Sequence, residues 1–273
     1  MTPRSPESTP PPAGAARPER LVIGEVPLDS LTFQGALDAI EALVRTGHGG
    51  AVFTPNVDHV VVADRHPEFR EAYAACSLSL VDGMPVLWAS RLLGQPLPEK
   101  ISGSDLLLPL CRLAAARGWR VYILGGAPGA AREAATRLEA RLGLEVVGID
   151  DGRIDLSPAG AEAARRSARR VRESGAHLLL VALGAPKQEL WIHRQRTELG
   201  PVVAVGVGAS VDFVAGLVRR SPPWMSRLGL EWLYRLVQEP RRLARRYLVE
   251  DIRFVSILWR TWRTRRRQAA SRR

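Results

Sequence analysis

The 273-residue chain is poor in cysteine and has no long apolar run. Its two cysteines, Cys76 and Cys111, lie far apart and form no CxxC pair, so neither a disulfide scaffold nor a zinc site is indicated. This cysteine usage fits a reducing cytoplasm. No stretch approaches the roughly 20 apolar residues that a membrane-spanning helix needs. We therefore expect a cytoplasmic chain whose contact with a membrane is peripheral.

Several motifs of nucleotide and metal sites are also missing. The chain has no G-x-x-x-x-G-K-S/T phosphate loop. Gly125 and Gly126 follow a predicted strand, but without the G-x-G-x-x-G spacing of a dinucleotide site. No acidic pair stands at a metal-ligand spacing on a strand end, and the five histidines show no ligand pairing. The sequence therefore predicts no bound metal and no cofactor.

Composition changes at both ends of the chain. The first 19 residues contain six prolines among serine, threonine and alanine, and no apolar run that resembles a signal peptide. This composition is typical of a disordered leader. We expect a leader over residues 1–19, an α/β domain over 20–218 and a basic helical appendage over 219–273.

Positive charge is concentrated in the predicted appendage. Residues 219–273 hold sixteen arginines, no lysine and four acidic residues, a net charge of +12, whereas the rest of the chain has 23 basic and 24 acidic side chains. Four of the seven tryptophans also lie there. A basic, aromatic surface is typical of proteins that bind anionic membranes. A nucleic-acid-binding protein is the alternative, although no helix-turn-helix or zinc motif supports it.

The spacing of apolar residues becomes helical in the appendage. From Pro222 onward, tryptophan and leucine recur at helical spacing, which predicts short amphipathic helices. Pro240 should begin the second of three helices, and Asp251 the third. We expect the arginine-rich stretch 263–267 to fray.

Strands and helices alternate through the central domain. This order implies βαβ units and a Rossmann-like parallel sheet covered by helices on both faces. The first helix should span 31–45 with Ser30 as its N-cap. Strands are predicted at 21–26, 51–53, 78–81, 119–124, 144–149, 177–183 and 201–207.

Polar residues follow four of these strands. They include Asn56, Asp82, Gln188 and Asp212. Asn56 and Asp212 could instead be helix caps, Asp82 part of a turn, and the segment 206–210 a tight crossover. Because parallel strands end at one edge of their sheet, these loops should lie together. Ligands bind beyond that edge in open α/β sheets.

The loops and the appendage together resemble the WecG/TagA/CpsF glycosyltransferases. The resemblance covers residues 21–248 in the order of the family. The segments that carry it are Thr54-Pro-Asn56, Val81-Asp82-Gly83, Ile101-Ser-Gly103-Ser-Asp105-Leu106, Leu183-Gly-Ala-Pro-Lys-Gln188-Glu-Leu-Trp191, Val205-Gly-Val-Gly208, Gly229-Leu-Glu-Trp232-Leu-Tyr-Arg235 and Glu239-Pro-Arg-Arg242.

The resemblance implies an inverting hexosyltransferase for bacterial cell-surface polysaccharide. Such enzymes move an N-acetylmannosamine-type sugar from a UDP donor to an undecaprenyl-diphosphate-linked sugar. They work without an evident metal, bound peripherally to the cytoplasmic face of the cell membrane. The identity of the transferred sugar stays open: it could be a related hexose or a uronic acid, or the donor could be another UDP-hexose used for exopolysaccharide synthesis.

The resemblance also implies roles for single residues on the sugar side. Asp82 matches the general base, and Thr54, Asn56 and Gln188 match polar residues near the sugar. Lys100 stands where the family commonly has arginine. Lysine keeps the positive charge but lacks the bidentate fork with which arginine holds a diphosphate.

Stabilisation of the leaving UDP is expected from fixed donors at the same edge. Without a metal, glycine-loop amides, a helix N-terminus and cationic side chains must supply it. The nucleotide should contact Gly125, Gly126, Gly206, Gly208 and Asp212. The resemblance places three arginines of the appendage over the active site, namely Arg235, Arg242 and Arg245.

Overall fold

The structure, a computed structural model, describes residues 19–218, Ser221, Met225, Tyr234 and 251–271. The predicted leader, apart from Glu19, lies outside the described residues. So do the first two predicted helices of the appendage, except for Met225 and Tyr234. The predicted domain boundary at 218 therefore stays a prediction.

A β-hairpin opens the described chain, where a single strand over 21–26 was predicted. Strands β1 (Arg20–Ile23) and β2 (Val26–Asp29) pair antiparallel, with Ile23 opposite Val26. The prediction was wrong because Gly24 turns the chain, with a φ of 59° that favours glycine. The residues on either side of this turn still bury their apolar side chains in the core.

Six parallel strands form the central sheet, in the order β4-β3-β8-β7-β5-β6, which confirms the predicted fold class. The chain crosses between neighbouring strands through helices, as parallel pairing requires. The strands are β3 (Gly50–Phe53), β4 (Leu78–Ser79), β5 (Arg120–Gly125), β6 (Glu145–Asp150), β7 (Leu178–Ala182) and β8 (Val203–Gly206).

Helices cover both faces of this sheet. Side chains that alternate along β5 belong to two different cores: Val121 and Ile123 to one, Tyr122 and Leu124 to the other. Such alternation follows from the two-residue period of a strand. The helices are α1 (Phe33–Thr46), α2 (Val57–Arg65), α3 (Pro67–Ala75), α4 (Met84–Leu92), α5 (Gly103–Arg117), α6 (Ala130–Leu142), α7 (Ala161–Glu173), α8 (Lys187–Leu199), α9 (Ser210–Ala215) and α10 (Asp251–Ser271).

Helix α1 begins two residues later than predicted. Thr32, not Ser30, is its N-cap, and the Thr32 hydroxyl oxygen accepts from the Gly35 N–H at 3.1 Å. Either residue type can cap a helix. The backbone of β2 extends as far as Asp29, so the chain is not yet helical at Ser30.

Helix α10 packs against the hairpin and α2. Its described part runs from Asp251 to Ser271, so the predicted fraying at 263–267 was wrong, while the predicted start at Asp251 stays a prediction because the residues before it lie outside the described ranges. Its inner face buries Phe254 and Ile257 in the core of the α/β domain. The Gly24 N–H also donates to Thr261 Oγ1 at 3.0 Å. Within the described ranges, no helix is both long and apolar enough to cross a membrane.

The outer face of α10 is apolar and cationic. Ile252, Val255 and Trp259 are 70%, 65% and 55% exposed, and they share one side of the helix. The guanidinium of Arg263 lies 4.5 Å from the centre of the Trp259 ring, in cation–π geometry. The helix therefore has one face in the core and another that presents large apolar side chains beside arginine.

Candidate active site

The carboxyl edge of the sheet brings the predicted loops together. Going across the sheet from β4 to β5, the loops carry Asp82, Asn56, Gly208, Gln188 and Gly126. Five neighbouring strands span four intervals of about 4.8 Å, or about 19 Å in total. The site is therefore an extended row of loops, as the strand order predicts for a doubly wound sheet.

Asp82 lies at the β4 end of this row, beside the loop after β3. Its backbone N–H donates to the Pro55 carbonyl at 2.9 Å. Gly83, with a φ of 93°, then starts α4. A Cβ built on Gly83 would be 4.0 Å from the Asn56 Cβ, so the two loops are in contact. The half-buried Asp82 and the predicted sugar-binding Asn56 are thus neighbours.

Thr54 joins the ends of β3 and β8. Its side chain is buried, and its hydroxyl donates to the Gly206 carbonyl at 3.4 Å. The first residue of α5, Gly103, fits closely here, since a Cβ on it would be 3.2 Å from Val207 Cα and 3.4 Å from Thr54 Oγ1. In this structure Thr54 orders the loop backbone that surrounds the predicted sugar position.

Asn56 is the N-cap of α2 and contacts a buried histidine. Its Oδ1 accepts from the Asp58 N–H at 3.1 Å and lies 2.8 Å from His59 Nδ1. The Asn56 N–H donates to the same His59 nitrogen at 3.2 Å, completing a capping box. On the other side of its ring, His59 Nε2 lies 3.3 Å from Glu189 Oε1.

Gln188 bridges the loops after β7 and β8. Its Nε2 donates to Glu189 Oε1 at 2.8 Å, and its Oε1 accepts from the Gly208 N–H at 3.1 Å. A Cβ on Gly206 would be 2.9 Å from Gln188 Nε2. Gly206, predicted to contact the nucleotide, thus makes room for the Gln188 side chain in this structure.

The β5 end of the row is held by Asp212. Its Oδ1 accepts from the Ala127 N–H at 2.8 Å, which ties the glycine loop after β5 to α9. Gly125 and Gly126 have φ values of 91° and 97°, a region that favours glycine. A Cβ on Gly125 would also be 2.8 Å from the Ala182 carbonyl. The predicted nucleotide-binding residues therefore form one ordered loop cluster.

Lys100 lies beside β4 but is engaged in an ion pair. Its Nζ is 2.7 Å from Asp105 Oδ2, and the Ser102 hydroxyl donates to the same oxygen at 2.6 Å. The adjacent Ile101 N–H donates to the Val81 carbonyl at 2.7 Å, which fixes this segment against the residue that precedes Asp82. The ammonium of Lys100 thus holds the first turn of α5.

Comparison with known proteins identifies the class of enzyme. Residues 21–268 match the sequence profile of the glycosyl transferase WecG/TagA/CpsF family, a range that includes most of α10. The chain belongs to this family. It is 33% identical over 198 residues to an N-acetylglucosaminyldiphosphoundecaprenol N-acetyl-beta-D-mannosaminyltransferase of Bacillus spizizenii. That alignment covers 72% of this chain and 74% of the relative.

Sequence reasoning about this glycosyltransferase missed His59 and Glu189. The two residues are 130 positions apart, so no local spacing could pair them. Glu189 directly follows Gln188, and His59 is the third residue of α2, where a capping box places its reciprocal partner. These positions were a usable signal, but a histidine or a glutamate in the first turn of a helix is common in any fold.

Three predicted site residues of the glycosyltransferase, Arg235, Arg242 and Arg245, lie outside the described residues. No group of three His, Cys, Asp or Glu side chains that could hold a metal ion occurs in the described part of the chain. A separate cleft of about 620 Å³ lies between the hairpin and α10. None of the predicted site residues lines that cleft.

Proposed function

We propose that this glycosyltransferase transfers an N-acetylmannosamine-type sugar from a UDP donor to an undecaprenyl-diphosphate-linked sugar, with inversion. The activity for which the Bacillus relative is named supports the sugar and the acceptor. One observation carries the assignment of the site: Asp82 and Asn56 are in neighbouring loops at the carboxyl edge, in line with the loops of Gly208 and Gly126. That row of about 19 Å is long enough for a sugar and a nucleotide side by side.

In the proposed reaction Asp82 acts as general base. The acceptor hydroxyl attacks the anomeric carbon, and its proton passes to the Asp82 carboxylate. The bond between the anomeric carbon and the diphosphate oxygen breaks, and UDP leaves with that electron pair. Attack opposite the leaving group inverts the anomeric configuration. Thr54, Asn56 and Gln188 are proposed to orient the sugar.

The leaving UDP is proposed to bind at the other end of the row. The loops of Gly125, Gly126 and Gly208 place backbone dipoles close to the sheet edge, and fixed dipoles stabilise developing negative charge. In this proposal Asp212 orders the loop after β5 by accepting a hydrogen bond from the Ala127 N–H. Gly206 has no side chain and so leaves space for the side chain of Gln188. Arg235, Arg242, Arg245 and Lys100 remain proposed cationic partners of a diphosphate.

A donor panel tests the proposed function. The full chain is incubated with a lipid-diphosphate-linked N-acetylglucosamine acceptor and one UDP-sugar at a time, and the lipid products are identified by mass. We expect transfer from UDP-N-acetylmannosamine. Preference for UDP-glucose or a UDP-uronic acid would assign another sugar within the same family, and an inert panel would contradict the proposal.

Transfer should continue in the presence of a chelator. The described residues offer no cluster of metal-ligand side chains, and the proposed site stabilises UDP with amides and cations instead. The initial rate with excess EDTA is therefore expected to stay within about twofold of the untreated rate. A loss of transfer that Mg²⁺ or Mn²⁺ restores would show that this part of the mechanism is wrong.

We further propose that the enzyme binds peripherally to the cytoplasmic face of an anionic membrane. The support is the outer face of α10, where Ile252, Val255 and Trp259 are exposed beside arginines. Apolar side chains of an interfacial helix enter the headgroup layer, and arginines are attracted to anionic lipid. A lipid-linked acceptor would then reach the enzyme at the membrane surface.

Replacing Trp259 should weaken this attachment more than replacing Trp88. The two rings are 55% and 51% exposed, on α10 and α4 respectively, so they form a matched pair. Removal of one buried apolar side chain from the lipid surface should lower binding about tenfold. Flotation of Trp259→Ser and Trp88→Ser with anionic liposomes measures the difference.

Flotation at increasing salt concentration measures the electrostatic part of membrane binding. Binding of the parent should weaken with salt, because surface charge is screened over about 8–10 Å at physiological ionic strength. Substitution of Arg235, Arg242 and Arg245 by alanine should spare most lipid binding, since thirteen of the sixteen appendage arginines remain. Release by Trp88→Ser instead of Trp259→Ser would place the membrane contact on α4 and contradict the proposal.

A further inference from the structure

A buried hydrogen-bonded network lies beneath the carboxyl edge. It runs from Asn56 through His59 and Glu189 to Gln188, and ends on the amide of Gly208. His59 is 5% exposed, Gln188 is 4% exposed and Glu189 is fully buried. The network therefore connects loops after three different strands in the interior of the protein.

Folding by itself gives little reason for a carboxylate at this place. A buried charge is costly unless it is fully paired. Glu189 Oε1 has two partners, but Oε2 has none among the described residues. The capping box between Asn56 and His59 closes the first turn of α2 without Glu189. Burial raises the pKa of the nearby Tyr73 hydroxyl, and the negative charge of Glu189 raises it further. Tyr73 and Glu189 therefore lie in the same apolar surrounding.

We propose that His59 and Glu189 are positioning residues for the transfer reaction, an inference that rests on the proposed function. Both would act through neighbours instead of touching the substrate. Asn56 Oδ1 is occupied by the Asp58 N–H, and the Asn56 backbone N–H by His59 Nδ1, which leaves the side-chain NH₂ group to donate to the sugar. Glu189 Oε1 fixes the NH₂ group of Gln188, so that Gln188 Oε1 faces Gly208.

This arrangement couples the two sides of the sugar position. If Glu189 is replaced by a residue without acceptor oxygens, Gln188 can rotate away from Gly208. The His59 ring then keeps its contact with Asn56 but loses the one with Glu189. Misplacement of contact residues by about 1 Å costs up to about 10²-fold in rate. The effect should fall on the intact UDP-sugar more than on UDP, because Asn56 and Gln188 are proposed to contact the sugar.

The test compares Glu189→Met with Glu189→Gln in the full chain. Methionine keeps most of the side-chain volume but removes both acceptors, whereas glutamine keeps one acceptor oxygen. Titration calorimetry with UDP and with UDP-N-acetylmannosamine gives the ratio of the two affinities. We expect Glu189→Met to lower the affinity for UDP-N-acetylmannosamine about tenfold more than the affinity for UDP, and to lower kcat/KM by about 10- to 100-fold. Glu189→Gln should recover most of both.

The matched control is Glu198→Gln, at the far end of the same helix in an exposed ion pair with Arg169. It should leave the ratio and kcat/KM unchanged. If Glu189→Met does not fold, His59→Asn serves instead, because it removes the contact with Glu189 while keeping a polar group near Asn56. Equal losses of UDP and UDP-sugar affinity, or kcat/KM within twofold of the parent, would overturn the positioning role.

Hydrogen exchange separates this inference from the proposed function. The Gly208 amide proton should exchange faster in Glu189→Met than in the parent, because its acceptor Gln188 Oε1 is no longer held. This readout needs no turnover. A parent chain that transfers no sugar refutes the proposed function, whereas unchanged Gly208 exchange in Glu189→Met refutes the network.

Discussion

Asp82→Asn is expected to lower kcat by about 10²- to 10⁴-fold, the usual contribution of a general base. The carboxamide has almost the same shape but cannot take the proton of the acceptor hydroxyl. The Asp82 N–H bond to the Pro55 carbonyl belongs to the backbone and is retained, so the loop should keep its conformation. UDP affinity should stay within about twofold, because the nucleotide is proposed to bind at the β5 end of the row.

The measurement is single-turnover transfer alongside calorimetric UDP binding. Asp38→Asn is the control, since Asp38 is an exposed aspartate on α1 whose partner is Gln34. It should transfer sugar at the parent rate. Asp82→Asn with a rate within a few-fold of the parent would remove Asp82 from the role of base.

Ile257→Ala is expected to destabilise the protein by about 2–5 kcal/mol, whereas Val255→Ala should change stability by less than about 0.5 kcal/mol. The two residues are two positions apart on α10, but Ile257 is 1% exposed and Val255 is 65% exposed. Ile257 lies against Gly24 in the hairpin turn, where even a Cβ would be 2.7 Å from Ile257 Cγ2. Urea unfolding followed by circular dichroism measures the difference.

This result bears on how the appendage is tested. Deletion of everything after residue 220 removes Phe254 and Ile257 from the core as well as the arginines from the surface. Loss of liposome binding after such a deletion would mix unfolding with release. Equal stability of Ile257→Ala and Val255→Ala would contradict the packing of α10 on the core. Loss of liposome binding after the deletion could then be attributed to the missing membrane contacts alone.

The sheet could be predicted because apolar strands and amphipathic helices alternate with clear periods. The strands predicted at 51–53, 119–124 and 144–149 overlap β3, β5 and β6 respectively. The hairpin could not be separated from one strand, because Gly24-Glu25 is not among the dipeptides that strongly favour a two-residue turn. The packing of α10 on the core was also out of reach, since it depends on contacts between Ile257 and residues more than 190 positions away.

The candidate site could be predicted as a set of loops but not as a network. Parallel strands guarantee that Asn56, Asp82 and Gln188 meet at one edge. No periodicity reveals that Glu189 and His59 connect them, because that contact depends on how α2 and α8 pack against the same face of the sheet. The ion pair of Lys100 with Asp105 likewise follows from the fold of the α5 entry and not from the local charge pattern.

Backbone amide shifts on addition of UDP-N-acetylmannosamine test most directly whether the donor occupies the carboxyl edge. We expect shifts concentrated there, at the amides of Asn56, Asp82, Gly126, Gln188 and Gly208. The amides of Gly49, Gly118 and Gly175, at the amino ends of β3, β5 and β7, should stay unchanged. Shifts confined to the cleft around Gly24 and Thr261, between the hairpin and α10, would contradict it.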